Sequence, residues 1–215
     1  EEGDAHLEQD RKKGTVTKCV LIRDHATKCV FAHVVPSKGE DEDSYTVKLV
    51  ASALTWVGHT RLILGSDGEP AILKLVKKSL ETLKTSVEGL DGASPEQSHP
   101  RDSQSNGATE VGIRNVRGMF RTHKLCLERR LGRKIPPAHP LTSWLLEHVT
   151  LIMNAVIVGQ DGKTSWRRAR GRDFGMTIYS FGEQILYKQD PKGPQHDTEG
   201  NMGPRMLRGT LLGYN

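Results

Sequence analysis

Two carboxylates in this chain stand where carboxylates can share metal ions. Asp67 follows the apolar run "RLIL" closely, and Glu110 follows the polar sequence "DSQSNGAT". Acids at strand ends and helix starts of an α/β sheet can meet in space, where they bind Mg²⁺ or Mn²⁺. Two such ions can activate an oxygen nucleophile and stabilise the leaving oxygen of a phosphodiester. The spacing leaves another interpretation open, because acids also cap helices and favour their positive ends.

A basic helix is predicted directly after Glu110. The next 24 residues hold eight Lys or Arg and one further acid, Glu128. At helical spacing, Glu110 shares one face with the cations Arg114, Arg117, Arg121 and Lys124, and an apolar face carries Ile113, Val116, Phe120, Leu127 and Leu131. A solvated helix normally interleaves both signs of charge, so the pattern favours contact with a phosphate backbone over simple solvation.

A second basic run, "WRRARGR", spans Trp166–Arg172. Arg167, Arg168 and Arg170 are therefore further candidates for nucleic-acid contact, although solvation of these side chains explains the run equally well.

Composition sets wider limits on the chain. Its 215 residues fit one large domain or one domain with a small appendage, and a net charge of +5 weakly suggests a polyanionic partner. Three cysteines without a C-x-x-C motif argue against a zinc site and a disulfide framework, and they suit a reducing compartment. Cys126 is expected to be a small packing residue. No apolar run approaches the ~18 residues of a membrane span.

The elements that must position the two acids can also be read from the pattern. The runs "VTKCVLIRD" and "KCVFAHVVP" predict a hairpin with Asp24 at its bend. Helices are predicted over Val47–Val57 and from Pro70 onward, with a short buried strand at Leu62–Leu64 between them. Residues 88–109 read as a long loop before a helix over 110–131. A strongly apolar helix ("LTSWLLEHVTLIMNAVI") and a tail of short strands complete the chain.

Four segments in order resemble the catalytic core of retroviral and retrotransposon integrases, which has a ribonuclease-H-like fold. They are "VLIRDHATKCVFAHVVP", "LILGSDGEPAI", "DSQSNGATEVGIRNVRG" and the stretch from "LTSWLLEH" through "GKTSW" to "FGEQILY". The last stretch and the ending "MLRGTLLGYN" are similar to copia-type elements and their small β-barrel module. The resemblance covers roughly residues 14–215.

The resemblance implies an α/β fold, in which a ribonuclease-H-like mixed sheet is flanked by helices and followed by a small β-rich C-terminal module. It implies a disordered leader at 1–13, an integrase core with a helical extension at 14–172, and a β-barrel-like module at 173–215. Asp67 and Glu110 would be the second and third acids of an Asp-Asp-Glu triad that holds two Mg²⁺ or Mn²⁺ ions.

The first acid of such a triad is expected upstream of residue 1. Asp10 and Asp4 are alternatives, although their surroundings do not resemble a buried strand. Asp24 matches an acid at the hairpin bend of the family that does not bind metal. The chain begins at Glu1 without Met, so it is expected to be cut from a longer polyprotein.

The implied activity is metal-dependent processing and joining of DNA ends by a retrotransposon integrase. Its partners would be element ends, target DNA and further copies of the chain, with no membrane. We expect an intracellular protein that works in the nucleus after a stage in a cytoplasmic particle. The alternative is a nucleic-acid-binding remnant or domesticated scaffold of the same fold without catalysis.

Overall fold

The computed structural model describes residues 17–37, 39, 43–66, 69–97, 103–188 and 206–214, with backbone alone at 97 and 103–106. The predicted leader at 1–13 lies outside these residues. The strands are β1 (Cys19–Arg23), β2 (Val30–Val34), β3 (Arg61–Ser66), β4 (Gly92–Gln97), β5 (Gln184–Lys188) and β6 (Met206–Thr210). The helices are α1 (Tyr45–Val57), α2 (Pro70–Ser86), α3 (Ser103–Leu131), α4 (Leu141–Val156) and α5 (Ser165–Arg170).

The predicted hairpin is present, and its first strand separates two helical layers. β1 pairs antiparallel with β2 from Cys19 opposite Val34 to Arg23 opposite Val30. Leu21 packs into the core that α3 and α4 share with β2. Val20 and Ile22 pack instead against the cluster formed by α1 and α2. This alternation follows from the period of two in a strand and buries both faces of β1.

The outer edge of β2 is closed by a side chain from α4. Asn154 is buried, its Oδ1 accepts from the Val30 N–H at 2.9 Å, and its Nδ2 donates to the Val30 carbonyl at 2.8 Å. A strand edge leaves backbone groups that need such partners. Asn154 therefore ends the sheet at β2, and α4 covers it with Leu145, Leu146 and Val149.

The apolar faces predicted for α1 and α2 are confirmed. Val47, Val50 and Val57 are buried, and α1 ends at Gly58, whose φ of 79° suits a left-handed cap. Pro70 opens α2, and its buried positions include Leu75, Val76, Leu80 and Leu83. No helix among the described residues is long and apolar enough to cross a bilayer.

The loop predicted over 88–109 is wrong in its first part. Residues 92–97 form β4, which pairs parallel with β3 from Arg61 opposite Gly92 to Ser66 opposite Gln97. The sequence "GASPEQ" has weak strand propensity, and Pro95 lowers that propensity further. The pairing with β3 and the crossover through α2 override that preference. β3 is also less buried than expected, with Ile63 68% exposed.

The tail forms the two strands that its pattern predicts. β5 and β6 pair antiparallel, with Gln184 opposite Thr210. Phe181, which precedes β5, is buried against Leu127 of α3 and joins the main core. The two strands make a β-rich C-terminal unit, but the predicted small β-barrel is not confirmed, because residues 189–205 and 215 lie outside the described part.

Candidate metal and nucleic-acid site

The carboxyl ends of β3 and β4 lie side by side, and the chain leaves both of them toward the predicted acids. Ser66 ends β3 opposite Gln97, which ends β4. Asp67 follows Ser66 directly but lies outside the described residues, as do Asp4 and Asp10. Five residues, 98–102, connect Gln97 to the start of α3. In the chain, Asp67 directly follows one of these two neighbouring strand ends, and α3, which carries Glu110, begins six residues after the other.

Helix α3 begins earlier than predicted. It starts at Ser103, so Glu110 lies about two turns inside the helix and not in its first turn. The Asn106–Gly107 pair favours a turn in sequence, but tertiary contacts reach this part of the helix from β1. Arg23 donates from Nη1 to the carbonyl of Ala108. Such contacts stabilise helical turns that propensity alone would leave open.

Glu110 and three predicted cations are exposed along α3. They are Arg114, Arg117 and Arg121, and none of these four side chains forms an ion pair with another described residue. A charged side chain without an internal partner remains available to an external anion. The exposed face thus combines one carboxylate with three guanidinium groups.

Lys124 differs from the three arginines. Its ammonium lies 2.6 Å from Oε1 of Glu128, a side chain that is itself buried. Glu128 also accepts from the N–H of Ile135 at 2.8 Å and from Lys134 at 3.3 Å. The Ile135 N–H, then the Lys124 ammonium, hold the pKa of Glu128 at about 2. Lys124 therefore stabilises the end of α3 internally, and its charge is already compensated.

The inward face of α3 is mostly as predicted. Val116 and Leu127 are buried, and Ile113 and Phe120 are half-buried. Leu131 is 44% exposed, so its assignment to the core was wrong. Leu131 is the last residue of α3, where the helix ends before its side chain meets the core. Cys126 is likewise exposed and does not pack as expected.

In the second basic run, two of the three candidate residues make contacts within the protein. Arg168 donates from Nε to Asp161 at 2.9 Å and from Nη1 to the Thr27 carbonyl at 3.3 Å. Its guanidinium holds the pKa of Asp161 at about 2. The guanidinium of Arg170 lies 4.1 Å from the Trp56 ring centroid, a cation–π contact.

These contacts bind α5 to the hairpin turn and to α1. Arg167 is more open and meets Asp173 at 3.4 Å on the surface. Surface pairs of this kind exchange partners readily, so Arg167 stays the most accessible of the three.

Asp24 has a structural role at the hairpin bend. Its Oδ2 accepts from the N–H and the hydroxyl of Thr27 at 2.7 and 2.5 Å, and its Oδ1 lies 3.1 Å from Nε2 of His59. Burial alone would raise the pKa of Asp24, but the bonds from Thr27 and His59 outweigh it and leave the pKa lowered. Both oxygens are engaged, which agrees with its assignment as an acid that does not bind metal.

Of the acids predicted to bind metal, one lies within the described residues. No group of three or more His, Cys, Asp or Glu within that part of the chain is arranged to hold an ion. Glu110 is the one described member of the predicted triad. Its carboxylate is exposed on α3 and is a ligand type that Mg²⁺ and Mn²⁺ accept. The donor chemistry of Glu110 therefore fits either ion.

Comparisons with known proteins address the fold. No protein-family model matches the chain, and no curated protein does. The catalytic core domain of BIV integrase is 16% identical, with a TM-score of 0.47 over 71% of this chain and 85% of that one. A chain of the simian T-cell lymphotropic virus intasome, in complex with the PP2A regulatory subunit B56 gamma, is 14% identical. Its TM-score is 0.52 over 92% of this chain, which spans 63% of that one.

The intasome similarity extends over nearly the whole chain and confirms the predicted fold class. The protein has an α/β, ribonuclease-H-like fold, with helices packed on both faces of β1. At such low identity the similarity defines the fold and leaves the activity to the site itself.

Arg23 is the residue of this region that the sequence interpretation missed. In the run "CVLIR", the period of two puts Arg23 on the same face of β1 as Leu21, which is an apolar face. A charge on the inward face of a strand indicates a specific partner, because unpaired charges are rarely buried. That signal was present but was not used.

Proposed function

We propose that the chain is the core of a DNA-joining enzyme of the integrase type, derived from a copia-type retrotransposon polyprotein. The observation that carries the proposal is the pairing of Ser66 with Gln97 at the ends of β3 and β4. Asp67 is the next residue after Ser66, and α3, which carries Glu110, begins six residues after Gln97. The exposed cations that follow Glu110 on the same helix face support it. A phosphate backbone along α3 would meet these cations and then the acid.

The residues have distinct tasks in this proposal. Asp67 and Glu110 supply carboxylate oxygens for two Mg²⁺ or Mn²⁺ ions, which when bound activate the attacking oxygen and stabilise the leaving oxygen. Arg114, Arg117 and Arg121 hold phosphates and orient the DNA without reading base edges. The nucleophile is a water or a DNA 3′-hydroxyl, so no serine or cysteine nucleophile is required.

The sheet supports a place for the missing first aspartate. Val20 and Ile22 of β1 and Leu64 of β3 pack against one apolar cluster on α1 and α2. Within the described residues, however, β1 pairs only with β2, and β3 pairs only with β4. We propose that a strand from upstream sequence lies between β1 and β3 and carries the aspartate. It would pair both free edges and join the two strand pairs into one mixed sheet.

The proposed partners follow from the same activity. They are element ends, target DNA and further copies of the chain, with work in the nucleus after a stage in a cytoplasmic particle. The similarity to a chain of a viral intasome supports DNA and further copies of the chain as partners.

A joining assay tests the proposal. Residues 1–215 and a chain extended upstream would be incubated with labelled DNA ends, target DNA and Mn²⁺ or Mg²⁺. We expect both chains to bind DNA and only the extended chain to join it. In the extended chain, Asp67→Asn or Glu110→Gln should abolish joining and leave DNA binding nearly intact, because each variant removes one ligand charge.

Other results of the joining assay would change the proposal in different ways. Joining by residues 1–215 would place the first ligand inside the chain, and Asp10→Asn and Asp4→Asn would identify it. DNA binding without joining by the extended chain would favour the alternative, a nucleic-acid-binding remnant. Joining that survives Glu110→Gln would refute the assignment of the site.

A further inference from the structure

The last residue of β1 reaches across to the helix that carries Glu110. Arg23 is half-buried, and its Nη1 donates to the carbonyl of Ala108 in α3. Ala108 lies two residues before Glu110, in the same helical turn. The contact joins residues 85 positions apart, so it fixes α3 against the sheet and not against its own neighbours.

A glycine opens the path of this side chain. Gly112 lies in the helix interior, and a Cβ built there would be 3.3 Å from Cδ of Arg23 and 3.5 Å from its Nη1. Glycine in a helix interior is less stable than alanine, so its presence needs a reason. Here the reason is space for the arginine. Gly118 in the same helix offers a contrast, because a Cβ there would meet nothing within 4 Å.

Residues 107–111 of α3 have little apolar packing to hold them. Among residues 107–111 none is buried, and Gly112 and Val116 are the first buried positions. Apolar packing thus starts on the C-terminal side of Glu110. On the other side, the Arg23 bond to Ala108 ties the helix to β1.

We propose that Arg23 is a positioning residue that fixes the turn of α3 bearing Glu110 relative to the sheet. The inference rests on the proposed function, since Glu110 is there a metal ligand. A carboxylate that shares ions with Asp67, the residue after β3, must be held at a fixed distance from the end of that strand. The contact from Arg23 of β1 to the turn of Glu110 would provide this. Arginine suits this task because it is always charged and its planar group directs several donors.

Hydrogen exchange in residues 1–215 tests the tie directly. We expect Arg23→Leu to speed exchange around residues 108–113 about ten-fold or more, because a hydrogen bond from a charged donor contributes at least that factor to a local opening equilibrium. Exchange near Leu127 should be unchanged. Arg23→Lys keeps a charged donor and should restore part of the protection. Arg61→Leu, which removes an exposed charge from β3, serves as the control.

The glycine pair gives a second, independent variant. Gly112→Ala should displace the arginine side chain and speed exchange of the same turn, although alanine is the better helix former. Gly118→Ala should slow exchange, because it gains helix propensity without meeting a neighbour. Exchange at 108–113 that is unchanged in both Arg23→Leu and Gly112→Ala would overturn the inference. Faster exchange throughout the chain would also overturn it, since the residue would then stabilise the whole fold.

The upstream-extended chain connects the tie to the reaction. With DNA binding unchanged, Arg23→Leu should raise the Mn²⁺ concentration for half-maximal joining about ten-fold, following the expected loss of local order. A shifted exchange pattern with unaltered metal dependence would reduce Arg23 to a structural residue and refute positioning. If the wild-type extended chain does not join DNA, the proposed function fails, and the exchange result still decides whether Arg23 fixes the turn.

Discussion

Among single residues, the cations on one face of α3 are not equivalent, although the sequence presents them as one series. Arg114, Arg117 and Arg121 are exposed, whereas Lys124 is held by Glu128 at 2.6 Å. A cation that is already paired with a buried carboxylate does not neutralise a phosphate, so it displaces no counterion from the DNA. The phosphate track therefore consists of the arginines, and Lys124 belongs to the fold.

Salt dependence of DNA binding should separate the two roles. Each of Arg114→Ala, Arg117→Ala and Arg121→Ala should lower the slope of log K against log salt by ~0.9, because one phosphate contact is lost. Lys124→Ala should leave the slope unchanged and lower the melting temperature. Anisotropy titrations at several salt concentrations measure the slope. A slope reduced equally by Lys124→Ala would show that Lys124 leaves Glu128 to bind DNA.

The Glu128 carboxylate should make its contribution to stability in a defined pH range. Its pKa in the folded chain is about 2, below the usual 4.5, so folding favours the charged form. The stabilisation is complete above the usual pKa and is lost as pH falls toward 2. Glu128→Gln should lower the urea midpoint at pH 7 and have little effect near pH 2. Glu81→Gln, an exposed change on α2, should alter neither midpoint, and equal losses at both pH values would contradict the account.

At the scale of elements, the sequence predicts what periodicity controls and misses what distant contacts decide. Helices α1 and α2 follow from apolar spacing, and the β1–β2 hairpin follows from its two branched-chain runs. Strand β4 is not predicted from the sequence because its residues favour a loop. It forms because β3 lies beside it and pairs with it. The meeting of Asp67 and Glu110 at one edge stays a prediction. The early start of α3 could not be anticipated, because the Asn106–Gly107 pair favours a turn.

The basic run of α5 shows the same limit at the candidate site. Arg168 and Arg170 look like DNA ligands in sequence, yet Thr27 and Trp56 reach them from more than 100 residues away. A one-dimensional pattern gives the type and spacing of charges. It does not show which charges the folded chain has already paired.

The closed edge of β2 gives a prediction for an element. Asn154→Leu should leave the buried N–H and carbonyl of Val30 without partners, at a cost of about 1–3 kcal/mol for each group. Urea unfolding measures the loss. Asn115→Leu, an exposed change on α3, should have a small effect. A loss no larger than that of the control would mean that Val30 finds other partners and that Asn154 does not close the edge.

Across the whole molecule, a chain of aromatic contacts connects α1 and α5 with the C-terminal tail and α4. Trp56 of α1 contacts Trp166 of α5, whose ring meets Phe174 at 4.8 Å. The contacts continue through Tyr214 near the C-terminus to His148 of α4, 6.0 Å away. These residues lie far apart in sequence, so their contacts pack the C-terminal unit against the rest of the fold.

His148 is the polar member of this chain and should make folding sensitive to acid. It is 2% exposed, and neither ring nitrogen has a hydrogen-bond partner among the described residues. Burial, then the nearby His123, lowers its pKa to about 4. His148 therefore takes up a proton near pH 6.5 in the unfolded chain, but only near pH 4 in the folded chain. Stability must fall through that window as pH falls, by at most about 3 kcal/mol.

The His148→Phe variant isolates this effect, because phenylalanine keeps the ring contacts with Phe181 and Tyr214 and cannot titrate. Urea unfolding of both proteins between pH 7 and pH 4 gives the difference in free energy at each pH. Acids such as Asp24, Asp161 and Glu128 titrate in both proteins and cancel in that difference. We expect the free energy of unfolding of the variant to rise steadily relative to that of the wild type as pH falls from 6.5 to 4. A difference that stays constant over this range would mean that the buried ring accepts its proton without opening the contact between α4 and the C-terminal strands.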